Sequence, residues 1–203
     1  GQGVSLDLVG LYDTNTLSLP AFAPIKGQNP RLGNIDQATV EAEIPGFLAQ
    51  ARPGIMTLVQ NLDRLSDDAT LDMIIAALAD YINWESFHQP DEKGGKDVPL
   101  TEAEAKAALK AQLKALSLFV KSDLSSDAKT QFANSLLDSD RARANRMGTA
   151  ADHIVSSDEL STVFDQNKLD AVSPKDRNGN VVRPALRIAY TKNSQGQWKA
   201  SLR

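Results

Sequence analysis

Residues 101–120, TEAEAKAALKAQLKALSLFV, carry the clearest fold signal in the chain. Thr101 and Glu104 form a T-x-x-E capping box, in which each side chain can bond the free backbone N–H of the other residue. Apolar residues then recur every three or four positions, the spacing that places them on one face of a helix: Leu109, Leu113, Leu116 and Val120. The stretch therefore predicts a capped amphipathic helix.

Comparable patterns extend in both directions from this segment. Asp36 can cap a helix through Val40 and Ile44. Pro45 should interrupt this helix and can start a new turn, as can Pro53. Further helical stripes are predicted over residues 55–65, 71–82, 125–137 and 156–164, the last beginning at a second capping box, Ser156 and Glu159. Because no fixed repeat period is present, we predict a mainly α protein, an irregular bundle of five to six helices within residues 34–169.

The pattern changes after Asp170. Leu186, Ile188 and Tyr190 alternate with Arg187 and Ala189, and after a turn over residues 193–196 the alternation resumes from Trp198 to Arg203. This period of two predicts a C-terminal β-hairpin with one apolar and one basic face. Val172 or Val181-Val182 could add a third strand. Since a lone hairpin is barely stable in water, we expect it to pack on the helices or on a partner.

Residues 1–33 predict an extended N-terminal arm. Pro20, Pro24 and Pro30 exclude a regular helix, yet the arm carries large apolar side chains, among them Leu17, Leu19 and Phe22. A segment of this composition should dock either on its own core or on a neighbouring subunit. The chain is thus divided into an apolar arm (1–33), a helical domain (34–169) and a basic hairpin packed on that domain (170–203).

Composition limits the function classes. The absence of cysteine excludes disulfides and thiolate chemistry, and no apolar run approaches the roughly 20 residues of a membrane-spanning helix. Residues 171–203 hold seven basic residues and one acidic residue, Asp176, whereas the whole chain carries a net charge of −4. This asymmetry fits a surface for an anionic partner, or, as the favoured interpretation, a basic hairpin lying against an acidic helical body.

The sequence contains no complete catalytic or metal-binding motif. The histidines, His88 and His153, have no sequence neighbours arranged as a nucleophile or a ligand set. The carboxylates at 63, 67, 68 and 72 suit a helix start, and DSDRARANR (138–146) suits a solvated helix face. Nucleic-acid binding would require a larger basic patch with stacking aromatic residues. We therefore assign no catalytic residue, metal or cofactor and favour a non-catalytic role over nucleic-acid binding. An enzyme acting through its carboxylates or His88 is a third, less favoured hypothesis.

One local resemblance bears on ligand binding. The order of helices followed by a hairpin, with TKNSQGQWKASL at residues 191–202, resembles a piece of the periplasmic phospholipid-carrier proteins. It covers about 20 of the 203 residues and does not assign the chain to that family. What it implies is an apolar ligand held between the helices.

These observations lead to a functional hypothesis. The chain is expected to be a non-catalytic structural or protein-interaction component of an exported or assembled bacterial or viral system, with the exported or periplasmic location favoured. A periplasmic-type carrier of a small apolar ligand is the alternative. Self-association or a protein partner would use the hairpin and the arm, through these residues: Arg183, Arg187, Lys192, Lys199, Arg203, Leu17, Leu19 and Phe22.

Overall fold

The computed structural model describes residues 37–89, 93–95, 97–141, 143–144, 151–183 and 185–202. Over these residues the protein is mainly α, with six helices and a small antiparallel sheet that ends in the C-terminal hairpin. The predicted fold class is therefore confirmed. The predicted arm, residues 1–33, lies outside the described residues.

The helices of the described residues are α1 (Gln37–Gln60), α2 (Asp68–Leu78), α3 (Glu102–Leu116), α4 (Ser126–Leu136), α5 (Ser157–Leu160) and α6 (Gln166–Val172). Both predicted capping boxes are present, at the starts of α3 and α5. At α3, the Glu104 N–H donates to the Thr101 hydroxyl over 3.2 Å, and the Thr101 N–H donates to the Glu104 carboxylate over 3.1 Å. These bonds satisfy donors that a helix start leaves free.

Helix α1 continues for 24 residues through both of its prolines, so the predicted interruption at Pro45 is wrong. A helix-interior proline costs about 3 kcal/mol, because it removes one hydrogen bond and crowds the preceding turn. The opposite face of α1 buries Ala51 and five larger apolar side chains, each of the five stabilising the fold by roughly 1.5–3 kcal/mol: Val40, Ile44, Leu48, Ile55 and Val59. Both prolines lie on the exposed side, where water can bond the freed carbonyls.

The strands are β1 (His88–Gln89), β2 (Val98–Pro99), β3 (Arg143–Ala144), β4 (Ala151–Val155), β5 (Leu186–Lys192) and β6 (Trp198–Leu202). β1 and β2 pair with each other, and the other four form one antiparallel sheet in the order β3-β4-β5-β6. The third strand beside the hairpin is therefore β4. Val181 forms only an isolated bridge with Lys175.

The hairpin is joined to the helical part along its outer edge. The Asn83 N–H donates to the Ala200 carbonyl and the Ala200 N–H donates to the Tyr81 carbonyl, each over 2.9 Å. Residues 81–83, which follow α2, thus continue the sheet beyond β6 with a parallel bridge between Ile82 and Ala200. An edge bonded in this way offers fewer free backbone groups to another strand.

Candidate functional site

A groove of about 710 Å³ lies where α1, the end of α2 and the start of β6 meet. Its α1 wall includes Glu43, Gly46, Phe47, Gln50 and Gly54. Glu43, Phe47, Gln50 and Gly54 follow one another at intervals of three or four and form a single stripe along the helix, with Gly46 beside it. The stripe lies beside the Val40–Ile44 side that enters the core: Glu43, Gly46 and Gln50 are exposed, whereas Phe47 is half-buried and Gly54 is buried.

Two glycines shape this wall in different ways. A Cβ at Gly46 would meet no atom within 4 Å, so this position leaves open space inside the groove. A Cβ at Gly54 would lie 2.5 Å from the carbonyl oxygen of Ala77. Gly54 therefore allows α1 and the end of α2 to approach closely, and both Gly54 and Ala77 line the groove.

Aromatic rings form the floor and one side of the groove. Phe47 stacks on Tyr81 with ring centroids 5.3 Å apart and also meets the edge of Tyr190 at 5.9 Å. Trp198 lines the hairpin side, and its indole N–H donates to the Glu43 carboxylate. Offset or edge-to-face aromatic contacts of this kind add about 0.5–1.5 kcal/mol to the burial of the rings. The floor should therefore be rigid.

Charged side chains surround the rim. Lys192 Nζ lies 3.6 Å from the Glu43 carboxylate and 5.1 Å from the centre of the Trp198 ring. Lys199 donates from Nζ to the backbone carbonyl of Asp80, which leaves the Asp80 carboxylate exposed at the groove. Tyr81 and Trp198 are only 7% and 8% exposed, so polar and charged groups supply most of the open surface of the groove. Such a groove can hold a short segment through a few apolar contacts and fix its direction through its charged groups.

A buried polar chain lies under the aromatic floor. Burial raises the pKa of the Tyr81 phenol, and the neighbouring Tyr190 adds to this effect; burial also raises the pKa of Tyr190. The Tyr190 hydroxyl lies 3.5 Å from His153 Nδ1. His153 is 0% exposed, and its Nε2 makes no hydrogen bond within the described part of the chain. Burial lowers the pKa of His153, and the nearby Arg141 charge lowers it further.

The buried imidazole predicts a pH-dependent stability. Because the folded-state pKa of His153 is lowered, the unfolded chain binds more protons than the folded chain below pH about 6.5. Stability is therefore expected to be unaffected by this group above that pH. It should decline on acidification, by at most about 1.4 kcal/mol per pH unit, until the lowered folded pKa is reached.

Urea denaturation between pH 5 and 8 tests this expectation. The His153→Gln chain should lose the part of the slope that arises below pH about 6.5, whereas the matched His88→Gln chain should retain it. An identical slope in the wild type and in His153→Gln would assign the acid sensitivity to other groups.

The structure places the basic candidates of the hairpin in different surroundings. Lys192 and Lys199 lie at the groove. Arg183 pairs with Asp170, with Nη2 3.0 Å from Oδ2, and Arg187 is exposed on the outer face of β5, opposite Ile154. Four other candidates, Arg203, Leu17, Leu19 and Phe22, lie outside the described residues.

The acidic candidates at the start of α2 serve structural contacts. The Asp67 carboxylate caps the helix by accepting from the Thr70 N–H and hydroxyl, and these bonds lower its pKa. Three other carboxylates pair with lysines of α3 and α4: Asp63, Asp68 and Asp72. Among the described residues, no group of three or more histidine, aspartate and glutamate side chains is arranged to hold a metal ion.

Sequence reasoning did not find the groove. Gly46, Phe47 and Tyr81 were not identified as site residues, because the floor joins parts of the chain that are distant in sequence. One signal was available: Gly46, Phe47 and Gly54 lie off the apolar stripe of α1 that enters the core.

No family model, curated protein or solved structure matches this chain. Within the described residues, no helix combines the length and the apolar composition needed to cross a membrane. The geometry of the groove is therefore the basis for a functional assignment.

Proposed function

We propose that the protein is a non-catalytic interaction component of an assembled system, and that its groove binds a short extended segment of protein. The observation that carries this proposal is the groove itself, with three aromatic residues from three separate elements around one open stripe of α1. Recognition domains that bind proline-containing segments commonly use such aromatic-lined grooves.

The dimensions of the groove favour an extended peptide. From Glu43 to Gly54 the α1 wall runs for roughly 16 Å, at 1.5 Å per helical residue. About five residues of extended or polyproline-type chain cover that length, at roughly 3.1–3.3 Å each. The exposed amide of Gln50, in the middle of the stripe, can bond the peptide backbone.

A carrier of a small apolar molecule is the second candidate, supported by the volume of the groove, which falls within the usual range for small-ligand sites. The charged groups at the rim, Glu43, Asp80 and Lys199, and the open stripe favour a protein segment instead. Mass spectrometry of an organic extract of the purified chain separates the two. A stoichiometric lipid would support the carrier and oppose the peptide groove.

A peptide selection on the full-length chain tests the proposal. The chain used for selection carries Leu17→Asp and Leu19→Asp. Its own apolar arm is predicted to dock and could otherwise compete with the displayed peptides for the groove. Phage-displayed 12-residue peptides are selected against it, and enriched sequences are synthesised and measured by fluorescence anisotropy. We expect enrichment of proline flanked by leucine or phenylalanine.

The groove is then filled without touching the core. Gly46→Leu places a side chain in the open space and should weaken binding of the selected peptides at least tenfold, whereas Gly46→Ala, the matched control, should change it less than threefold. No enrichment, or equal binding by the Leu and Ala chains, would overturn the proposed function.

A further inference from the structure

We propose that the segment of this chain that occupies the groove is residues 17–25, LSLPAFAPI, bound to the groove of the same molecule. This inference rests on the proposed function and names the occupant of the same site. Three arguments support it: the length of the segment, its chemistry, and its distance along the chain from α1.

The length of the segment matches the groove. In a polyproline or β conformation, residues 17–22 would span roughly 16–20 Å, about the length of the stripe from Glu43 to Gly54, and residues 23–25 would extend past its end. Within this segment, Leu17 and Leu19 are two positions apart. An extended backbone therefore directs both toward the same side, where the aromatic floor can receive them.

The chemistry of the segment also matches. Pro20 and Pro24 fix two φ angles in advance, which lowers the conformational entropy lost on docking. Residues 14–26 contain no acidic side chain and end in Lys26. At the rim, Glu43 is paired with Lys192, and Lys199 donates to the backbone carbonyl of Asp80. The exposed Asp80 carboxylate is the group that Lys26, directly after the segment, can pair with.

The position of the segment favours docking within one molecule. About ten residues separate Ile25 from Gln37, where α1 begins, and an unstructured connector of that length spans roughly 16–20 Å. The centre of the groove, near Gly46, lies about 14 Å along α1 from Gln37. A connector whose average span is close to the distance between its ends gives the highest effective concentration, on the order of 1 mM.

The other apolar stretch of the arm fits less well. Residues 4–9, VSLDLV, contain Asp7 and no proline. They are also separated from α1 by more than twice the connector length, which lowers their effective concentration. This stretch supplies a matched control, because Leu6 and Leu8 are spaced as Leu17 and Leu19 are.

A competition experiment tests the inference. A dye-labelled peptide copying residues 14–26 is titrated with three full-length chains: wild type, Leu17→Asp with Leu19→Asp, and Leu6→Asp with Leu8→Asp. A docked segment at about 1 mM with an intrinsic dissociation constant of roughly 0.1 mM weakens a competitor about tenfold. We expect the Leu17/Leu19 variant to bind the peptide about tenfold more tightly than the other two chains, and Gly46→Leu to abolish this gain.

The outcomes separate the inference from the proposed function. If all three chains bind the peptide equally, and Gly46→Leu weakens that binding, the peptide groove is retained and residues 17–25 are overturned as its occupant. If neither this peptide nor the selected peptides bind, both the inference and the proposed function are overturned. Light scattering coupled to size exclusion completes the test. A monomeric mass at all concentrations is expected, whereas a larger mass that becomes monomeric in the Leu17/Leu19 variant would assign the groove to the arm of a second copy.

Discussion

Gly54→Ala is expected to lower the free energy of unfolding by about 2 kcal/mol, although alanine is the better helix former. The new methyl group would lie 2.5 Å from the carbonyl oxygen of Ala77, a backbone atom. The strain therefore has no flexible side chain through which to relax, and α1 and α2 must move apart. Overpacking against a fixed backbone atom lies at the upper end of the usual cost, about 3 kcal/mol, and the gain in helix propensity offsets about 1 kcal/mol, which leaves about 2 kcal/mol.

Gly46→Ala is the matched control, since it makes the same chemical change eight positions earlier in the same helix. A Cβ there meets nothing within 4 Å, so only the propensity gain remains, roughly 0.5–1 kcal/mol of stabilisation. Urea denaturation of both chains should give shifts of opposite sign. Equal shifts would show that α1 and α2 do not approach as closely as the structure places them.

Asn83→Ala is expected to destabilise the protein by about 2–3 kcal/mol. Asn83 is buried, and its side-chain N–H₂ donates to the Thr191 hydroxyl over 2.8 Å. The side-chain oxygen of Asn83, Oδ1, accepts from the Glu85 N–H at the start of a short 3₁₀ turn. The substitution removes both bonds, and it leaves polar groups without partners beside β5.

A double-mutant cycle with Thr191→Val isolates the bond between the two side chains. Thr191→Val alone should cost about 1–2 kcal/mol, because it leaves the buried amide of Asn83 unsatisfied. The double variant should be less destabilised than the sum of the single changes by about 1 kcal/mol. Thr130→Val, at an exposed hydroxyl on α4, should change stability by less than about 0.5 kcal/mol. If the two single effects on the free energy of unfolding add to within about 0.3 kcal/mol in the double variant, the bond between Asn83 and Thr191 does not hold the hairpin to the helices.

Elements with strong local signals could be predicted from sequence. The capping boxes at Thr101 and Ser156 were found because their residues are three positions apart and bond each other. The C-terminal hairpin was found because alternation over β5 and β6 matches the period of a strand. In each case the interaction that specifies the element lies within the element.

Elements fixed by distant contacts could not be predicted. In β4 the polar His153 is buried, at 0% exposed, as is Val155, whereas the apolar Ile154 between them is 54% exposed. His153 and Ile154 thus reverse the usual alternation. Pairing with β5 specifies this strand. In α1 the two prolines gave a local stop signal that the buried stripe outweighs. The groove depends on the pairing of the strands and on the continuity of α1, because Phe47 reaches Tyr190 only when the sheet is formed and α1 is continuous.

The bridge between Ile82 and Ala200 has a consequence for the chain during its synthesis. Ribosomes add residues from the N-terminus at about 5–20 per second, so roughly ten seconds pass between the appearance of these two partners. Throughout that time α1 and α2 are available, but the hairpin that covers Phe47 and Tyr81 does not yet exist. We therefore expect the nascent chain to present an aromatic surface to chaperones, and a stall before residue 198 to leave it prone to aggregation.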